Sequence, residues 1–575
     1  MFFLVGLVYL YAVPNFEASD TVQHVGMIKW IAETGTLPVQ SGDHEELYGQ
    51  EASQPPLYYL VMAAVWNAFD TADFAERYLP SPFTVIGDTS GHGNRNLVIY
   101  KQPYPPDLSG SSLALYIIRL LSLSMGAATV WAVYRSARVL VPGETGIALL
   151  ASALTAFNPQ FLFISASVSN DTLVNMLAAL ITWRMLVMLR DGFDTRRSLA
   201  LALLIALASL AKLSGLVLGA AVGLAAVWLL LRRRDRRGFA IMIGAMLLCW
   251  LLIAGWWYAR NLTLYGEPFG TSTMLDYFGR RSITVGQLIA EEFQGLRVSY
   301  WAVFGAFNIV VHERFYLLMD LLSLFGALGL ILFVKRQRNS THFMTAFCFL
   351  SLLLALGAAM LTWWSTQTWA STGRLLFPYI TSASLLLALG IHATRIPKLL
   401  IVLPMLAFSL IAPFAYIIPN YDHPPAVEQL PESAALADAR WGDLRLSAYE
   451  IPARQAWRAG DEIPLTFYWR AEAQSPLAYA LVLSLVDGAG DVLSRIETWP
   501  GWGTMPHPWM TLGRDYRDDY ILGIPADAAG EGELSLEIRW YVFPDGPALK
   551  AALENGEELE AFRLALGSWV TKHSP

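Results

Sequence analysis

Apolar residues run unbroken for long stretches over the first 420 positions and then break into short alternating groups. Runs of spanning length occupy 2–14, 113–133, 145–165, 172–189, 198–211, 214–231, 238–258, 315–334, 343–363, 374–391 and 398–418. They predict a polytopic, mainly α membrane protein with about 11 transmembrane helices. The first run is short, which implies a tilted span or a start upstream. From Leu444 the period changes to two. "EIPLTFYWRAE", "YALVLSLVDGAGDVLSRIE", "RDDYILGIP" and "ELSLEIRWYVFPDG" read as strands, with DGAGD and PDG as hairpin turns. Six to eight such strands predict a β-sandwich.

Loop charges orient the spans. With the N-terminus inside, five short loops carry fifteen bases: Arg135 and Arg138; Arg190, Arg196 and Arg197; RRRDRR at 232–237; KRQR at 335–338; Arg395 and Lys398. The short outer turns hold little beyond Lys212 and Arg374. The N-terminus is therefore expected in the cytoplasm and the C-terminal domain outside the plasma membrane. The expected organisation is a membrane body over 1–420 with outer loops 15–112 and 259–314, a linker at 421–440, and a sandwich over 441–575.

Composition sharpens this reading. The chain is 55 % hydrophobic, with a mean hydropathy of +0.42, outside the range of soluble domains. From Tyr421 onward it holds 24 acids and 12 bases, against 23 and 28 before it. The tail is acidic and soluble in character. The two cysteines, Cys249 and Cys348, lie in apolar runs, so no disulfide framework supports the tail. No zinc spacing, P-loop or dinucleotide fingerprint occurs, and the arginine run reads as a cytoplasmic anchor and not a nucleic-acid patch.

Candidate chemistry gathers on the outer side. In "PNFEASDTVQHVGMIKWIAETGTLP", Ser19 or Asp20 can cap a surface helix whose apolar stripe is Val25, Ile28 and Ile31. Asp20 and His24 share a face, and Glu17 sits at the membrane boundary, where a carboxylate is costly unless used. In "YGQEASQPPLYYL", Glu51 and Gln54 precede Pro55 and Pro56, which suit a helix start, followed by Tyr58 and Tyr59 at interfacial depth. Asn170 and Asp171 lie between the third and fourth spans and cap the fourth. Arg260 and Arg374 stand at span mouths, where a guanidinium fork can grip a lipid phosphate. A carboxylate that accepts a hydroxyl proton, beside arginines that steady a departing phosphate, fits glycosyl transfer. Trp499, Trp502 and Trp509 of the tail could stack on sugar rings or build its core.

These motifs, in order, are similar to those of the GT-C membrane glycosyltransferases, the superfamily of protein O-mannosyltransferases and lipid A aminoarabinose transferases. The resemblance rests on the acid after the first span, QPPLYY, Asn170-Asp171, "RN…YGEPFG" and "GRLLFP". It implies a polyprenyl-phosphate sugar donor, membrane lipids around it, and a lipid, glycan or protein hydroxyl as acceptor, with no nucleic acid. It implies Asp20 as base, with Glu17 beside it and Asp171 as the second acid. Glu51, His24, Gln54, Tyr58, Asn170, Arg260 and Arg374 are then substrate contacts. Relatives read Asp-Glu where this chain has Asp20-Thr21, and Lys where it has Gln54. No cofactor is required, and a metal ion is not indicated. The alternative is a non-catalytic envelope protein whose sandwich binds glycans on a degenerate GT-C anchor.

Overall fold

The computed structural model describes residues 1–41, 46–89 and 93–571. They form two compact units, one of residues 1–74 and 107–417, the other of 75–106 and 418–575.

The first unit is helical. All eleven apolar runs are helices, but only eight are long and apolar enough to cross a membrane, or nine if one bent pair is a single span. The pair is Thr145–Ala156 and Pro159–Ser165, broken by 63°. Asn158 causes the break: its side chain caps the second helix through the Phe161 N–H at 3.1 Å, and Pro159 takes the first position, where no donor is needed. Phe2–Ala12, with 11 residues, and Thr195–Ala211, with 17, are shorter than the spans expected there. The run at 238–258 divides at Ala254 into Arg236–Ile253 and Gly255–Tyr265. Arg260 and Asn261, expected in a loop, therefore lie in a helix that Gly266 ends at φ 72°. The segment 259–314 also holds Thr271–Phe278 and Val285–Trp301, the latter opened by a capping box of Thr284 and Gln287.

The surface helix Thr21–Thr34 buries Val25, Ile28 and Ile31 as its period requires. Gly26 lets the backbone of the following loop cross it closely: a Cβ there would lie 2.5 Å from the Leu47 carbonyl carbon. The loop then makes a 3₁₀ turn, Gly49–Ser53, and enters the helix Leu57–Trp66 with Pro56 as its cap.

The second unit is a sandwich of two sheets. One runs in the order Glu558–Leu559, Ala551–Leu553, Ala435–Trp441, Leu444–Glu450, Glu462–Ala471, Asp515–Gly523, Ala426–Val427. The other runs Ala456–Arg458, Phe562–Val570, Glu531–Val542, Tyr479–Asp487, Val492–Thr498, with Ala548–Leu549 paired to Glu531–Val542. The inward residues of both, including Trp441, Trp469, Trp540 and Trp569, form one buried core.

Two expectations need correction. Residues 421–440 are no linker, because strands form at Ala426–Val427 and Ala435–Trp441. Residues 75–106, expected in an outer loop of the membrane body, belong to the sandwich unit. There Asn94 Nδ2 donates to the Glu497 carbonyl and Asn96 Nδ2 to the Gly503 carbonyl, each at 3.0 Å. Phe83 and Ile99 pack on Trp499. That tryptophan is buried, and the half-buried Trp502 lies against Tyr520.

Candidate active site

Several segments of the helical unit, far apart in sequence, meet at one cavity of about 230 Å³. Its polar wall holds Asp20, His24, Gln54, Glu51, Asn170, Asp171, Lys212 and Arg374; its apolar wall includes Met274, Phe278, Met360, Trp363, Trp364 and Trp369.

Asp20 precedes the surface helix in the left-handed region, at φ 61°, and its side chain makes no cap. The carboxylate turns instead to Arg374, whose Nη2 donates to it. The same guanidinium faces Asp171, with Nη1 3.7 Å from Oδ2. Asp171 is the first residue of its helix and does not cap it by side chain; its other oxygen takes the Lys212 ammonium. Arg374 is fixed by its own backbone. It lies in the 3₁₀ turn Gly373–Tyr379, where the Gly373 N–H donates to Ser299 Oγ at 2.8 Å. A Cβ on Gly373 would stand 2.4 Å from the Leu296 carbonyl oxygen, so glycine alone permits the approach.

Glu51 has a different environment. The Tyr59 hydroxyl donates to its Oε2 at 2.5 Å, and His24 Nδ1 lies 3.4 Å away. Tyr59 has one proton and gives it to Glu51. The bond from His24 Nδ1 at 2.9 Å must then be a donation to Tyr59, as is that from Asn170 Nδ2 at 3.2 Å. Of the three cavity carboxylates, Glu51 is the one with no Lys or Arg ion pair among the described residues.

Several polar atoms of this wall remain unused. Arg374 Nε and Nη1, Asn170 Oδ1 and Gln54 Oε1 are buried without a hydrogen bond. Buried donors and acceptors are normally satisfied, so their gathering at one cavity marks a place for a polar ligand.

Three expected contacts lie elsewhere. Glu17 is buried but does not line the cavity. The Tyr58 hydroxyl is engaged by Ser122 Oγ at 3.0 Å and the Ser169 N–H at 3.2 Å, which holds the turn before Asp171. Arg260, expected at a phosphate, donates to the Pro38 carbonyl at 2.8 Å and stacks over Trp257. Its Nη2 meets two backbone carbonyls and its plane an aromatic face, while Nη1 is buried without a hydrogen bond, and the residue does not line the cavity. Lys212 and Tyr59 line or support the site without having been singled out. Lys212 carried a signal, being a lone base at the acid-rich end of the spans. Among the described residues no cluster of three or more His, Cys, Asp or Glu could hold a metal ion.

The chain is thus a polytopic membrane protein with a cavity that pairs acids and a guanidinium against an aromatic wall. Residues 110–258, which include Asn170, Asp171 and Lys212, match the family model described as dolichyl-phosphate-mannose-protein mannosyltransferase. That match falls in the membrane glycosyltransferase class to which the sequence motifs point. Among solved structures, the chain is similar to ArnT from Cupriavidus metallidurans bound to undecaprenyl phosphate, with TM-score 0.42 and 14 % identity over 69 % of this chain and 60 % of that one. The Archaeoglobus fulgidus oligosaccharyltransferase in complex with Zn and sulfate gives TM-score 0.41 and 14 % identity over 73 % and 52 %. The chain therefore spans 60 % or less of the length of these two structures. No curated protein sequence matches it.

Proposed function

We propose that the helical unit is a glycosyltransferase of the bacterial plasma membrane. In this reading a sugar moves from a polyprenyl-phosphate donor to an extracytoplasmic hydroxyl of a lipid, glycan or protein. The N-terminus is cytoplasmic and the sandwich lies outside. The observation that carries the proposal is Arg374, a buried guanidinium that stands between Asp20 and Asp171 at a cavity and whose Nε and Nη1 make no hydrogen bond. Those two donors suit phosphate oxygens, and the wall of Phe278, Trp363 and Trp369 suits an isoprenoid chain.

The step balances simply. The acceptor oxygen bonds to the anomeric carbon and gives its proton to a carboxylate. The anomeric carbon–phosphate oxygen bond breaks, and its electron pair leaves on the phosphate, beside Arg374. Asp20 and Asp171 are each engaged by a strong cation, which weakens a carboxylate as a base. Glu51 has Tyr59 and His24 as partners and no Lys or Arg ion pair among the described residues, and is therefore the better proton acceptor, with Asp20 orienting Arg374.

The test is transfer of labelled sugar from polyprenyl-phosphate donors by the purified chain in proteoliposomes. Glu51→Gln is expected to lower kcat by about 100-fold or more with little change in donor KM, the scale of a lost general base. Full activity in Glu51→Gln together with loss in Asp20→Asn would return the base to Asp20.

A further inference from the structure

A second cavity lies at the far end of the helix that follows the Arg374 turn. Ile380–Thr394 begins beside Arg374 and ends at Arg395; its 15 residues span roughly 22 Å at the α-helical rise. Around that end lies a cavity of about 710 Å³ lined by Arg336, Arg395 and Lys398, with His392 and a single carboxylate, Glu144. None of these three cations makes an ion pair or side-chain hydrogen bond among the described residues. Gly146 leaves the space into which the Lys398 ammonium projects, since a Cβ there would lie 2.3 Å from Nζ. Arg336 and Arg395 are exposed and Lys398 half-buried, and all three line the same concavity.

One margin of the cavity is apolar. Phe333 and Leu399 line it, and Leu399 and Leu400 stand outward with 65 % and 67 % of their surface exposed. A headgroup phosphate among three cations, with its acyl chains along an exposed leucine face, satisfies both halves of this arrangement. We infer that this cavity is a cytoplasmic-leaflet site for the phosphate of an anionic glycerophospholipid, separate from the transfer site.

Lipid titration of the full-length protein, read by native mass spectrometry, tests the inference. Phosphatidylglycerol is expected to bind about tenfold or more tightly than phosphatidylcholine, given three cations near one phosphate. Arg336→Gln/Arg395→Gln/Lys398→Gln should reduce that preference to near unity. The control Arg232→Gln/Arg236→Gln/Arg237→Gln removes as many cytoplasmic charges outside the cavity and should leave it. Gly146→Val displaces Lys398 without altering charge, and should lose the preference too. Thermal unfolding of each variant separates lost binding from lost fold. Three results would overturn the site: an unchanged preference in the cavity variants, an equal loss in the control, or full displacement by millimolar inorganic phosphate. The first two would indicate diffuse charge and the third a free-anion site. Sugar transfer is not part of the readout, so this inference and the proposed activity stand or fall separately.

Discussion

Arg374 holds two carboxylates with one planar fork, and a lysine in its place cannot. An ammonium is a point charge, so it can meet Asp20 or Asp171 but not both while keeping donors free for a ligand. Arg374→Lys is expected to raise the donor KM by about tenfold or more and to lower kcat less, as read in the labelled-transfer assay. Asp20→Asn is a clean partner experiment, because asparagine tolerates the left-handed backbone found there and removes only the charge. At this scale most of the site was legible. An acid before a surface helix, an Asn-Asp pair at a span mouth and an outward arginine are chemically conspicuous. What could not be read was pairing: Asp20 and Arg374 lie 354 positions apart, and Lys212 reaches Asp171 across 41. Arg260 misled because a guanidinium at a membrane boundary serves backbone carbonyls as readily as phosphates.

Elements place these residues through a few close contacts. Gly26→Ala would drive a methyl into the backbone at Leu47 and push the 3₁₀ turn bearing Glu51 away from Tyr59. The expected result is a loss of about 1–3 kcal/mol of stability in chemical denaturation and a fall in kcat out of proportion to it. Arg119 does comparable work from within the bundle. Its fully buried guanidinium donates to the carbonyls of Leu10, Val13 and Ala166 at 3.1, 2.9 and 2.7 Å, tying the first helix end to the segment before Asp171. Arg119→Ala should destabilise the protein by roughly 3 kcal/mol or more, since several buried carbonyls lose a charged donor at once. Apolar runs showed where helices form, because burial in lipid demands them. They did not show the breaks at Asn158 and Ala254, where capping and side-chain packing, not hydrophobicity, decide the path.

The two units answer to different physics. In the sandwich, Asp518 is buried and its carboxyl is pushed up to about 7, despite hydrogen bonds from Tyr520 and Gly501. Burial holds His507 down to about 4, and its Nδ1 accepts the Tyr479 N–H, which only the neutral ring can do. The signs oppose. Folded Asp518 keeps a proton that the unfolded chain loses above its ordinary 3.8, so stability falls as pH rises toward 7. The unfolded chain takes up a His507 proton below its ordinary 6.5 that the fold refuses, so stability rises from about 4 to 6.5. Sandwich unfolding in the full chain, followed by tryptophan fluorescence, should be nearly flat across that window. In Asp518→Asn it should rise by up to about 1.4 kcal/mol per pH unit and level off above 6.5.

A fragment of 418–575 alone lacks Phe83 and Ile99 and leaves Trp499 uncovered, so it is expected to aggregate where the same fragment joined to 75–106 stays soluble. Alternation revealed the strands, but no local pattern could assign 75–106 to a sheet more than three hundred residues away.

Sugar transfer at this site requires the cavity at Arg374 to seat a lipid-linked phosphate. A photoactivatable polyprenyl phosphate, cross-linked to the full-length protein and mapped by peptide sequencing, tests this directly. Adducts are predicted on the wall formed by Phe278, Trp363 and Trp369, and should weaken at least about tenfold in Arg374→Ala. Labelling spread over the lipid-facing helices, unchanged when Arg374 is removed, would contradict it.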